Sequence, residues 1–128
     1  MELIFYSART DDFSSSLLDQ VGSLIPVKNL VVCRNLKQLR EALFRPAYEL
    51  FAAILVAAGS QDLLNIVSMA EFLHSIRVIL ILPDRERDSI LIGHALRPRF
   101  LTSSACNPNE IVAVARKMLE NAEKYRNM

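Results

Sequence analysis

The sequence predicts an α/β fold, a three-layer sandwich in which a parallel five-stranded sheet lies between two layers of helices. Three observations carry that expectation. Residues Leu50–Gly59 form an unbroken apolar run. A strand that is apolar at every position must be covered on both faces, as the central strand of a parallel sheet is. Strand-length apolar runs then alternate along the chain with segments whose apolar residues recur at helical spacing. The connections between them are short, and a βα repeat of that kind demands parallel strands and right-handed crossovers.

Leu3–Tyr6 reads as the first strand, and Asp11 or Asp12 caps the helix after it, because acidic side chains there accept from unpaired first-turn N–H groups. Phe13, Leu17, Leu18, Val21 and Leu24 form its buried stripe; Gly22 weakens it and Pro26 stops it. Leu30–Cys33 is the second strand, followed by a helix capped by Asn35, with Leu36, Leu39, Leu43 and Phe44 on one face and Pro46 at its end. After the central strand, Ser60 caps a third helix with a wide stripe, Leu63, Leu64, Ile66, Val67, Ala70, Phe72 and Leu73. Ile76–Leu82 is the fourth strand. Asp84 caps a fourth helix, Arg85–Ala95, expected to turn Ile90, Leu91 and Ala95 inward. Arg99–Thr102 is a short edge strand. Asn107, Pro108 and Glu110 resemble a capping box opening the last helix, whose stripe is Ile111, Val112, Ala115, Met118, Leu119 and Ala122, with Glu123–Met128 as a fraying tail. The two most apolar strands, the third and fourth, belong inside the sheet and the second and fifth at its edges. That ranking fits the flavodoxin-like order 2-1-3-4-5.

Bulk properties exclude several function classes. The 128 residues suit a single domain, 1–128, with its own core. Fifteen basic and fourteen acidic residues give a formal charge of +1, so neither nucleic acid nor an anionic membrane is an expected partner. Cys33 and Cys106 lie far apart without metal-ligand spacing, and read as two thiols. The apolar runs are too short to span a bilayer, no signal-peptide pattern leads the chain, and the expected location is cytoplasmic.

With these elements in place, the chain resembles the response-regulator receiver domain of two-component signalling, over essentially its whole length in element order and size. The closest local likeness is Ala95–Pro108, running from a small-residue helix end through an aromatic-bearing fifth strand into the last helix. Phe100 stands where that family keeps its switch aromatic. The family's chemistry, however, finds no counterpart. Receivers hold Mg²⁺ with acidic residues just after strand one, where this chain has Ser7 and Ala8. The phospho-accepting aspartate ends strand three, where this chain has Ala57 and Ala58; the hydroxyl residue ending strand four is Leu82, and the lysine ending strand five is Ser103 or Ser104. Aspartyl phosphorylation needs nucleophile, metal and counter-charge together. The resemblance therefore implies a degenerate pseudo-receiver, with no metal, no cofactor and no catalytic residue, that takes part in signal transduction by binding a protein partner. Receivers dimerise and meet targets through helix four, strand five and helix five. By that likeness the candidate interface here is Ile92, Leu96, Arg97, Arg99 and Phe100, with Ile92 and Leu96 partly exposed among arginines and a homodimer as one expected form. The plain alternative for Arg85, Arg87, Arg97 and Arg99 is a solvated rim offset by Glu86 and Asp88.

A reading from a different class is a small-ligand or anion sensor at the C-terminal edge of the sheet, using Arg9 and Thr10 in the loop after strand one. That loop has no glycine for close approach to a flavin phosphate, and flavin is not expected. An enzyme using Ser7, Thr10 or Ser103 lacks a base to activate the hydroxyl. His74 and His94 stand alone, and Ser14, Ser15 and Ser16 read as helix surface.

Overall fold

The structure is a computed structural model and describes residues 2–46 and 49–126. Five strands, β1 (Glu2–Ser7), β2 (Leu30–Cys33), β3 (Leu50–Val56), β4 (Val78–Leu82) and β5 (Phe100–Ser103), form one sheet in the order β2-β1-β3-β4-β5. Every pairing is parallel. The predicted fold class, strand order, interior strands and edge strands are all those observed.

The helices are α1 (Asp12–Leu24), α2 (Leu36–Leu43), α3 (Ser60–Val67), α4 (Ala70–Leu73), α5 (Arg87–His94) and α6 (Pro108–Arg126). A 3₁₀ turn, Val27–Asn29, leads into β2. The sheet divides the core in two. On one side Leu17 and Val21 of α1 and Ile111, Ala115 and Met118 of α6 pack on Leu3, Phe5, Ile54, Val56, Ile79 and Ile81. On the other, Leu39 and Leu43 of α2, Leu63 and Ile66 of α3 and Leu73 of α4 pack on Ile4, Tyr6, Ala53, Leu55, Val78 and Leu80. All seven residues of β3 are buried, as its uninterrupted apolar character requires. The register against β1 shifts at Leu50–Ala52, and there the alternation breaks, with both Phe51 and Ala52 on the α1/α6 side.

Several expectations are corrected. The single helix predicted over Ser60–Leu73 is two. After Val67 the Ser68 hydroxyl donates to the Asn65 carbonyl at 2.6 Å, Met69 leaves helical geometry, and α4 begins at Ala70. A stripe this wide cannot all face one sheet from one straight helix, and even after the break Leu64 and Phe72 remain exposed. Ser60 is the first helical residue of α3 and makes no cap hydrogen bond; Gly59 is the N-cap residue. α6 is helical through Arg126, over most of the segment expected to fray, and Asn127 and Met128 lie outside the described residues.

The fourth predicted helix is α5, and its inward face differs most from expectation. It starts at Arg87 with Glu86 at the N-cap, and Asp84 instead accepts from the Glu86 amide at 3.0 Å. Its buried residues are Ser89 and Gly93, continued by Leu96 beyond its end, with Ile92 partly buried on the same core. Ile90 and Leu91 face outward, Leu91 at 59% exposure, and Ala95 is exposed. Close packing is the reason. A Cβ on Gly93 would lie 2.9 Å from a methyl carbon of Leu82 and 3.2 Å from one of Leu101, so the helix rests its two smallest residues on the sheet.

Candidate functional site

In an open parallel sheet the strands deliver their C-terminal ends to one edge, and binding chemistry belongs there. β1 ends at Ser7, which is buried; its Oγ lies 2.9 Å from the Ser14 Oγ and accepts the Arg9 amide at 3.2 Å. This hydroxyl holds the β1–α1 loop to α1. Asp11 is the α1 N-cap, accepting from the Ser14 amide at 3.1 Å and pairing with the Arg9 guanidinium. Desolvation works against its ionisation, but the Ser14 amide and the Arg9 guanidinium outweigh it and hold the Asp11 carboxyl below its ordinary value. Capping thus accounts for Asp11, while Asp12 is an exposed first-turn residue.

β3 passes into the α3 turn through Ala57, fully buried, and Ala58. Neither carries a polar side chain. The nearby carboxylate is Asp62, in the first turn of α3. It accepts the Ala58 amide at 2.8 Å with one oxygen and the Tyr6 hydroxyl at 2.6 Å with the other. Burial, then the hydrogen bond and charge of Asp62, push the Tyr6 phenol far above its ordinary value, so the phenol is the donor. The resulting tie joins the end of β1, the β3–α3 turn and the first turn of α3. Sequence reading did not single it out. Tyr6 on an apolar strand reads as core, and only the β1–β3 adjacency brings α3 over it.

β4 ends at Leu82, buried, and β5 at Ser103, also buried. The Ser103 Oγ accepts from Arg85 Nε at 3.2 Å, so one of the rim arginines is turned onto the sheet edge. Leu82, Asp84, Arg85, Ile90, Leu101, Thr102 and Ser103 line a cleft of about 270 Å³ between α5 and β5. A second cleft, about 420 Å³, opens where β1 and β2 end, lined by Ser7, Ala8, Arg9, Thr10, Ser15 and Arg34. It unites Arg9 and Thr10, which sequence singled out, with Arg34, which it did not. Strand order contains that signal, because residues following β2 must stand beside those following β1.

The candidate interface residues do not form one apolar patch. Arg97 and Arg99 are exposed, and Phe100 is half-buried on the α1/α6 side of the sheet. Ile92 packs on the opposite side, and Leu96, at 2% exposure, is core. Leu96 is therefore corrected from a partly exposed position to a buried one, since α5 closes over β4 and β5. The exposed apolar residues on α5 are Ile90 and Leu91 instead. Arg97 has a positive φ of 53°, a conformation that costs an L-residue about 1–2 kcal/mol. Among the described residues no group of three or more His, Cys, Asp or Glu side chains converges as a metal site would require, and no helix is long and apolar enough to cross a membrane.

No family model matches the chain, and no curated protein matches it. Solved structures do. The signal receiver domain of an HD domain-containing protein from Pseudomonas fluorescens superposes with a TM-score of 0.72 at 19% identity, covering 98% of this chain and 91% of that one. A response regulator from Thermotoga maritima gives 0.65 at 10% identity, with 94% and 98% covered. A candidate pilus assembly-related protein from Burkholderia pseudomallei gives 0.63 at 12% identity, with 92% and 88% covered. What this likeness establishes is architecture: the chain has the fold of signal receiver domains.

Proposed function

We propose that the chain is a receiver-like signalling module that acts by protein–protein contact, without enzymatic activity and without accepting a phosphoryl group on aspartate. The observation that carries this reading is the end of β3. Where receiver chemistry needs a nucleophilic carboxylate, the chain has Ala57 and Ala58, and the neighbouring Asp62 already accepts two hydrogen bonds. Ser7 and Ala8 offer no carboxylate to a divalent cation, and Ser103 offers no cation to a phosphoryl group. A transfer that depends on all three groups together lacks its nucleophile and its metal ligands, and the lysine position is Ser103, which carries the Arg85 guanidinium on its Oγ.

Contact is assigned to the face built from α5, β5 and the start of α6. Support comes from the exposed Leu91 and Ile90 of α5, the cleft that Ile90 shares with Leu101 and Thr102, and the exposed Arg97 and Arg99 in the chain next to half-buried Phe100. Exposed apolar residues and arginine are both enriched in the centres of interfaces. The left-handed backbone of Arg97 is held in this same face, and such conformations cluster where a surface is used.

Incubation of the whole chain with Mg²⁺ and acetyl phosphate should leave its intact mass unchanged. Addition of one acid-stable, hydroxylamine-labile phosphoryl group, mapped to an Asp, would overturn the reading.

A further inference from the structure

We propose that the cleft at the joined ends of β1 and β2 is a binding site for a small phosphate monoester. None of its lining residues, Ser7, Ala8, Arg9, Thr10, Ser15 and Arg34, is acidic, and two are arginines from different loops. Arg9 is fixed in place: its guanidinium pairs with Asp11 and stands 5.7 Å over the Phe13 ring. That pair uses one of five N–H donors, leaving a positioned fork with donors to spare. Arg34 is anchored at its root, where its amide donates to Gln38 Oε1 at 2.7 Å. Its guanidinium has no ion-pair or hydrogen-bond partner among the described residues. The hydroxyl residues Thr10 and Ser15 are exposed on the same walls.

This donor set selects the ligand class. Planar guanidinium forks and hydroxyl donors arriving from several directions match the three terminal oxygens of a tetrahedral oxyanion, and bind it more strongly than neutral groups do. A volume of about 420 Å³ exceeds what a bare phosphate fills and leaves room for the group esterified to it. A nucleic acid is a poor occupant. With a net charge of +1 and two cations in the cleft, the surface offers no track for a polyanion. Because Asp11 offsets much of the Arg9 charge, the net attraction rests on Arg34, and binding of simple probes should be weak, with Kd on the order of 1 mM.

The cleft lies at the opposite end of the strand order from β5, so this inference neither needs the contact face nor falls with it. The test is an amide chemical-shift titration of the whole ¹⁵N-labelled chain with inorganic phosphate and, separately, glycerol 3-phosphate, at constant ionic strength maintained with chloride. Saturable shifts are expected at Ala8–Thr10, Ser15 and Arg34, with the ester binding at least as tightly as the bare ion. Arg34→Ala should weaken both by roughly tenfold, the usual worth of one charge-assisted contact. The exposed Arg87→Ala on α5 should change neither. Shifts that fail to saturate, or that are equally affected by Arg34→Ala and Arg87→Ala, would overturn the proposal. A preference for the bare ion over the ester would do so as well. Arg34 is exposed and only its backbone serves the fold, so Arg34→Ala should keep the wild-type spectrum away from the cleft.

Discussion

Gly22 and Gly93 are both helical, and they answer oppositely to a methyl group. A Cβ at Gly22 meets nothing within 4 Å, so Gly22→Ala should stabilise the protein by roughly 0.5–1 kcal/mol through lost backbone freedom in the unfolded chain. At Gly93 the same change drives a carbon into Leu82, Leu101 and Leu80, and should destabilise by roughly 1–3 kcal/mol as α5 is levered off the sheet. Urea unfolding of the two variants checks both signs at once. The same close approach explains why the α5 face was illegible. Pattern reading assigns the apolar Ile90 and Leu91 to the core, whereas the core side is set by size. Ser89 and Gly93 fit under the helix where Ile and Leu do not. Tyr6 and Asp62 were likewise invisible as a pair, because 56 residues separate them and only the folded sheet aligns them.

At the scale of elements, caps were the most readable feature where a side chain makes them, and least where the backbone does. Asn35 accepts from the Gln38 amide at 2.9 Å while Gln38 accepts from the Arg34 amide, a reciprocal closure of α2. Asn107 accepts from the Asn109 amide at 2.9 Å ahead of Pro108, as the sequence indicates. Glu110, by contrast, makes no side-chain return to Asn107 among the described residues; the contact there is its amide donating to the Asn107 carbonyl. Asp11 makes the α1 cap sensitive to acid. Its carboxyl titrates below its ordinary value of 3.8 in the folded chain, so its contribution is complete above that value and is lost as pH falls through the lower folded value. Asp11 is substantially solvated and the effect should be small. Asp11→Asn keeps a capping oxygen but cannot titrate, and its stability between pH 5 and pH 2 should fall less than that of the wild type. Thermal unfolding across that range measures the difference.

For the whole molecule, the apolar character of the runs separates interior from edge strands, and the order it fits, β2-β1-β3-β4-β5, is the one observed. What the order does to the edge was only partly legible. It brings Arg34 beside Arg9, and it splits the predicted contact residues between the two sides of β5, with Leu96 withdrawn into the core. The contact face can be tested at this scale. If the chain self-associates through it, sedimentation or native mass spectrometry should show a dimer that the joint change Arg97→Ala and Phe100→Ala abolishes. Leu91→Glu, a surface change that leaves the core intact, should do the same. A dimer that survives both variants would place the interface elsewhere.

The tie from Asp62 to Ala58 and Tyr6 has a further consequence for how such a module could be regulated. It occupies both oxygens of the carboxylate nearest the β3–α3 turn and secures that turn with the chain's own atoms. In the proposed reading, a turn secured in this way offers no free carboxylate to a phosphoryl donor. Under that reading the output of the module would be set by abundance, with occupancy of a partner following the ratio of its concentration to Kd.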